Sequence, residues 1–281
     1  LPSLFHNLQL GIKRYPKRFV ISVGSGYAIL WAVLEPLFAI LDIKTTGYNW
    51  QFLIAYVLIS LVIGAILVYP KAEVDIPIKN TNTQVAVVFG DLFEQEGNKA
   101  IAVSEFFDSE LGKPVALQSV HGQFLQSILG GHTQIFDDAV TTQLPAEVSG
   151  SLTRVAGNST RYSIGSTVVI HHGADDFFLF ALATTGVDCK ANGTPASLLQ
   201  ALDGLWNKVR LEGNGRPINI PLVGSGLSAI GLPPSRLLEL ILMSILKSAK
   251  ERDLSGLIRI VLPQAVFDQI DLAMIRATWD C

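Results

Sequence analysis

The sequence predicts an α/β protein in two parts: a two-helix transmembrane hairpin, then a three-layer α/β/α domain with a mixed sheet. Three observations carry that reading. Hydrophobic residues make up 49% of the 281 and charged residues only 16%, against about a quarter charged in ordinary soluble proteins. The apolar excess gathers near the N-terminus in two runs of nearly spanning length. Beyond them, strand-like and helix-like segments interleave over about 210 residues, a length that suits one domain.

Residues 1–18 form a basic leader containing Lys13, Arg14, Lys17 and Arg18. Residues 19–70 form the hairpin, with spans at about 19–41 (FVISVGSGYAILWAVLEPLFAIL) and 51–69 (QFLIAYVLISLVIGAILVY). Each approaches the roughly 20 residues that a spanning helix requires. The first is too long for a signal-peptide core, and no small-residue cleavage site follows it. Lys71 follows the second span, while the connecting loop holds Lys44 alone. The positive-inside rule therefore predicts that both ends, and the domain of residues 71–281, face the cytoplasm. Tyr48, Trp50 and Tyr69 stand where interfacial aromatic anchors belong.

Glu35, beside Pro36, is the odd residue of the first span. An acidic residue at a helix centre costs about 2.5–3.5 kcal/mol on translocon scales, so Glu35 must lie off-centre near the outer interface or meet a partner. Ser22 with Gly26, and Ser60 with Gly64, are small-xxx-small spacings that permit close helix packing. In a cytoplasmic domain Cys189 and Cys281 are free thiols. The sequons at Asn158 and Asn192 then carry no glycan. A net charge of −3, with no basic stripe, excludes nucleic acid as the expected partner.

Pro70 and Pro77 punctuate a short linker. QVAVVFGD (84–91) and KAIAVSEFF (99–107) read as strands, and GQFLQSILGG (122–131) as a short helix stopped by glycines. TVVIHH (167–172) and FFLFALATT (177–185) read as strands around a turn. Thr194 caps a helix with Pro195 in its first turn and Leu198, Leu202, Leu205, Trp206 and Val209 on one face. INIPLV (218–223) is a buried strand, a helix covers 233–250, and GLIRIVLP (256–263) closes the alternation.

Between that strand and helix lies Gly224-Ser225-Gly226-Leu227-Ser228-Ala229, which matches the letters of a dinucleotide fingerprint. Glycines let a backbone approach a pyrophosphate, and amides at a helix start face its charge. The loop comes late in the chain and no acidic residue ends the next strand, so a plain glycine turn stands beside the binding reading. Gly90-Asp91, at the exit of the first domain strand, places a carboxylate able to accept from an exocyclic amine, or to cap a turn. Ser119-Val120-His121-Gly122 opens a short helix, a second candidate anion site. His121 fits there either through its ring or through its backbone alone. His171-His172 with Asp175-Asp176 has metal-binding residue types, but neighbours on a strand point to opposite faces, which favours a hairpin turn over a metal. No P-loop, G-x-S-x-G elbow or H-E-x-x-H motif is present.

Strand–Gly-Asp, a later strand–GSGLSAIG–helix and the α/β/α order together resemble a macro domain, the ADP-ribose-binding fold. SVHGQF, YSIG (162–165), FFLFALATT, ALDGLW and IPLVGSG, behind a transmembrane pair, narrow the likeness. The whole resembles the membrane-anchored macro-domain effectors of Thoeris antiphage systems. That resemblance implies a bacterial inner-membrane protein whose cytoplasmic domain senses an ADP-ribose-type signal, such as histidine-ADP-ribose, made by a TIR-domain partner. It further implies homo-oligomers acting on membrane lipid to kill or arrest the cell, with no cofactor and no catalysis. Asp91, with Leu92 beside it, would hold the adenine. Gly224, Ser225, Gly226, Leu227 and Ser228 would cradle the distal phosphate and ribose, opposite Ser119, Val120, His121 and Gly122. Catalytic macro domains carry an Asn-Ala-Ala-Asn run and a triple-glycine loop, where this chain has Val103-Ser104-Glu105-Phe106 and SVHGQF. The departure favours a binder, with a membrane-anchored ADP-ribosyl hydrolase as the alternative.

A cysteine placed at Thr46 is expected to react with an impermeant reagent in intact cells, and one at Asn80 only after permeabilisation. The reverse labelling pattern would overturn the cytoplasmic placement of the domain.

Overall fold

The computed structural model describes residues 4–41, 49–226 and 230–279. Lys44, Thr46, Tyr48, Leu227, Ser228 and Cys281 lie outside the described residues. The chain divides into two units, Leu1–Lys71 and Ala72–Cys281.

The first unit holds three helices: α1 (Leu4–Arg14), α2 (Pro16–Ile40) and α3 (Asn49–Val68). Both α2 and α3 are long and apolar enough to cross a membrane, and most of their surface is unburied within the chain. They pack on each other through small residues. A Cβ on Gly26 would lie 3.6 Å from Ser60, and one on Gly64 only 2.5 Å from Val23. Both small-residue spacings are thus used inside the hairpin. The Ser60 hydroxyl, fully buried, donates to the Tyr56 carbonyl at 2.6 Å, so no polar hydrogen is left unpaired there. Glu35 is exposed on α2, five residues before the helix end. At 1.5 Å per residue it stands about 7.5 Å from that end, off-centre.

The second unit contains ten strands and five α-helices among the described residues. One sheet runs β1 (Glu73–Pro77), β2 (Gln84–Phe89), β10 (Leu257–Leu262), β9 (Ile218–Pro221), β3 (Asn98–Ser104), β7 (Asp175–Thr185) and β6 (Thr167–His172), with β8 (Ala191–Asn192) paired to β7. Its central strands β2, β10, β9, β3 and β7 are mutually parallel. β1 and β6 are antiparallel edges, so the sheet is mixed. A separate ribbon pairs β4 (Val148–Ser151) with β5 (Thr160–Tyr162).

Alternation along the parallel strands divides their side chains between two cores. Val85, Val87, Ile218, Ile220, Ile258 and Ile260 face α6 (Pro195–Glu212), α7 (Pro234–Glu251) and α8 (Leu272–Trp279). Ala86, Val88, Ile101, Val103 and Val261 face the helical turn α4 (Val120–Gln123), its π-helical continuation (Phe124–Ile128) and α5 (Gln134–Gln143). These are the three layers that the sequence predicts. Thr194 and Ser197 close a reciprocal capping box at the start of α6. Trp206, fully buried on α6, donates its indole N–H to Ser244 of α7 at 2.7 Å.

The segment read as a linker up to Pro77 is instead an edge strand in which Val74 and Ile76 point inward. Pro77 is its last residue, where a missing N–H costs no ladder bond. The opposite edge is capped by a side chain. The Gln143 amide both donates to the Val169 carbonyl (2.7 Å) and accepts from its N–H (3.0 Å), standing in for a neighbouring strand. His171 and His172 pair with Asp176 and Asp175 across the β6–β7 hairpin. His171 Nδ1 meets Asp176 at 2.6 Å, while Asp175 is paired with Lys99 and Arg216. The hairpin reading therefore describes this stretch.

Gly204 of α6 faces Gly165, and a Cβ there would lie 2.1 Å from the Gly165 carbonyl oxygen. Gly204→Ala is expected to destabilise this unit by about 1–3 kcal/mol through overpacking. Gly226→Ala, whose Cβ meets nothing within 4 Å, should stay within about 0.5 kcal/mol. Urea unfolding of both variants measures the contrast.

Candidate functional site

Parallel strands end on the same edge of a sheet, and ligands of open α/β folds collect there, where successive connections leave toward opposite faces. In this chain that point lies between β3 and β9. They pair only at Asn98–Ile218 and Lys99–Asn219. After β3 the chain passes to α4 and α5 on one face, and after β9 to α7 on the other. The connection from β2 to β3 is anchored by Asn219, which is wholly buried. Its amide donates to the Glu96 and Asn98 carbonyls (both 2.9 Å) and its oxygen accepts from Arg259 (2.6 Å).

A cleft of about 410 Å³ opens at this edge, within the range of small-molecule sites. Two loops wall it. One carries Ser119, Val120 and His121 into α4, and the other carries Gly224, Ser225 and Gly226 out of β9. The Ser119 hydroxyl donates to the Ala116 carbonyl (2.7 Å) and accepts from the Gly122 N–H (2.9 Å), capping the helix. Gly122 is therefore committed to the turn. Its missing Cβ would sit 2.2 Å from the Ala116 carbonyl oxygen. The Ser225 hydroxyl likewise locks its own loop by donating to the Leu222 carbonyl at 2.7 Å. Gly224 has φ +88°, and a Cβ there would lie 2.6 Å from Ile230, so only glycine fits. Among the described residues, the N–H groups of Val120, His121, Gly224, Ser225 and Gly226 meet no acceptor.

The structure thus brings Ser119, Val120, His121, Gly224, Ser225 and Gly226 together on one cleft. Gly122 stands behind the wall. Asp91 and Leu92 follow β2, two strands from β9 on the same edge, and do not line the cleft. Asp91 is exposed and its Oδ1 accepts from the Phe93 N–H at 2.8 Å, an Asx turn. Leu92 is buried in the α4–α5 core.

The His121 ring is buried and packs on Phe136 at 5.2 Å between centroids. Its Nε2 has no hydrogen-bond partner among the described residues. Burial pushes the imidazole down from 6.5 to about 3, so it is neutral at physiological pH. The ring thus packs in the core beside Phe136, and the residue lines the cleft.

Sequence reasoning missed the floor of the cleft. Ser104 ends β3, Thr185 ends β7, and Asp108 and Cys189 follow in the next loops. The rule that sites gather at the C-terminal ends of parallel strands points to Ser104 and Thr185 once the strand order is known. Asp108 is buried and ion-paired with buried Arg154. It also accepts from the Asn158 N–H (2.9 Å) and the Ser104 hydroxyl (3.0 Å). The Arg154 guanidinium lies 3.7 Å over the Phe106 ring. The Thr185 hydroxyl, in contrast, is buried with no partner among the described residues.

The family described as "Thoeris protein ThsA, Macro domain" matches residues 85–263. This chain belongs to that family. It is 27% identical over 163 residues to the Thoeris protein ThsA of Bacillus amyloliquefaciens (strain Y2), covering 55% of this chain. The chain spans about half the length of that relative, 52%. The Oceanobacillus iheyensis macrodomain with ADP superposes with a TM-score of 0.51 at 12% identity, covering 74% of this chain and 96% of that one. A variant of the same macrodomain with ADPR gives 0.52 at 12% identity, covering 74% and 98%. The Thoeris ThsA macro domain of this chain therefore has the macrodomain fold, and its cleft lies where that fold's parallel strands end.

Since His121 is neutral when folded and gains a proton near pH 6.5 when unfolded, its linkage costs nothing above pH 6.5. Stability falls as pH drops from 6.5 toward about 3. Between pH 7 and pH 5 this residue should remove about 2 kcal/mol. Urea unfolding of His121→Phe at both values should show a correspondingly smaller loss than the wild type.

Proposed function

We propose that this chain is a membrane-anchored sensor of Thoeris defence that binds an ADP-ribose-type signal in the cleft and leaves it intact. The observation that carries the reading is the pair of facing loops, whose unpartnered amides line one cleft. Such amides at a helix start and in a glycine loop are natural partners for the oxygens of a diphosphate. The bound nucleotides of the Oceanobacillus iheyensis macrodomain, ADP and ADPR, have this chemistry.

Binding without hydrolysis is favoured by the groups around the cleft floor. A general base needs a free carboxylate or a titrating imidazole. Asp108 is held by Arg154, Asn158 and Ser104, and Glu105 by Arg161 and the Thr185 N–H. His121 is buried and neutral. The adenine role of Asp91 falls to Oδ2, since Oδ1 holds its turn.

In this reading α2 and α3 span the inner membrane, with the second unit in the cytoplasm. Two spans cannot enclose a pore, so membrane damage requires several hairpins brought together. The signal drives that only by binding the assembled state more tightly, by about 5.5 kcal/mol for a switch from mostly off to mostly on.

The test is to titrate the full chain in detergent with ADP-ribose conjugates, following heat release and light scattering. Wild type should bind stoichiometrically, grow in size and return the conjugate unchanged. Gly226→Glu should fold normally, because a Cβ there meets nothing within 4 Å, yet lose binding and stay small at any dose. Steady release of free ADP-ribose would replace the sensor with the hydrolase. A wild type that kills cells without ever changing size would remove the assembly step.

A further inference from the structure

The leader is more than a basic flank. Leu4–Arg14 is a helix, parted from α2 by Tyr15 (ψ 55°) and Pro16. Two contacts fasten it to the end of α3. Gly11 sits against the Val68 carbonyl, where a Cβ would lie 2.2 Å from the oxygen. Buried Asn7 donates from Nδ2 to the Tyr69 hydroxyl at 2.9 Å. So α1 is held at the same end of the hairpin at which α2 begins and α3 finishes.

With Asn7 and Gly11 facing inward, the helix carries one apolar flank. Leu4, Phe5, Leu8 and Ile12 share it, whereas His6, Gln9 and Lys13 share the other, with half-buried Leu10 beside His6. Leu4 and Phe5 are 75% and 68% exposed, an unfavourable placement in water. Lys13, Arg14, Lys17 and Arg18 cluster where α1 meets α2, and residues 4–34 hold no acidic residue. An apolar flank beside concentrated positive charge, level with the end of two spans, fits one surface: the headgroup layer of an anionic leaflet.

We propose that α1 is an interfacial helix, its Leu4–Phe5–Leu8–Ile12 flank sunk into the anionic cytoplasmic leaflet. It thereby grips the end of α3 in the plane of the lipid headgroups. This rests on the proposed spans, and the experiment separates the two.

The full chain, cleared of native cysteines, is reconstituted in phosphatidylcholine vesicles with phosphatidylglycerol as the minority lipid. Single cysteines at Phe5, Gln9 or Ile29 carry a fluorophore, and quenching is read with lipids spin-labelled near the headgroup or near the chain end. The expected result is strong shallow quenching at position 5, deep quenching at Ile29, and ready quenching of position 9 by aqueous iodide. Omitting phosphatidylglycerol should weaken the shallow quenching several-fold. Undiminished quenching would overturn the anionic assignment. Water-exposed position 5 with a deep Ile29 would overturn the interfacial helix while leaving the spans intact. Shielding of position 5 from both lipid and iodide would assign the flank to a second copy of the chain and overturn the proposal. A water-exposed Ile29 would remove the spans themselves and the proposal with them.

Discussion

Backbone N–H groups are obligatory donors, and on the walls of one cleft those of Val120, His121, Gly224, Ser225 and Gly226 find no acceptor among the described residues, which leaves them to water or a ligand. The sheet enforces this arrangement. Its five parallel strands deliver their ends to one edge, and β3 and β9 separate after two paired positions. The loops leaving them must then face each other. Glycine at 224 is demanded by φ +88° and by Ile230, and glycine at 122 by the Ala116 carbonyl. Ser119 occupies one amide by capping and leaves the two before it exposed to the cleft. Most of the second unit can be understood as a frame that holds these groups apart from internal partners.

The electrostatics of the cleft follow from the same choice. No lysine or arginine is among its described lining residues. Arg154, which pairs with Asp108 on the cleft floor, is consumed by that pair and by stacking on Phe106. A diphosphate here would be held by oriented amide dipoles and a short helix start rather than by mobile side-chain charge. Oriented backbone amides need less ordering on binding than long side chains do. The same arrangement makes the site sensitive to any added negative side chain.

How much of this was legible depended on whether local chemistry decided the outcome. The parallel strands announce themselves as apolar runs because both of their faces are buried, and α6 announces itself by Thr194, Pro195 and a leucine face. The glycine loop and the Ser119 cap were legible because backbone geometry dictates their residues. β1 was hidden because Pro77 looks like linker punctuation, although at the last position of an edge strand it is harmless. α5 was missed because its inward face rests on little more than Phe136 and Val140, amid Asp, Thr and Gln. β4 and β5 pair with shallow burial and carry no apolar run. On the cleft floor Ser104, Asp108, Thr185 and Cys189 come from separated stretches, and only the strand order unites them.

The central claim concerns backbone amides, so hydrogen exchange resolved to single residues is its most direct test. The full chain in detergent would be compared with and without saturating ADP-ribose. The account predicts that exchange slows at Val120 and His121 and across Gly224–Gly226, while Asn219 and the core of the sheet stay as they were. Saturable binding that leaves those amides exchanging at their unliganded rates would contradict it.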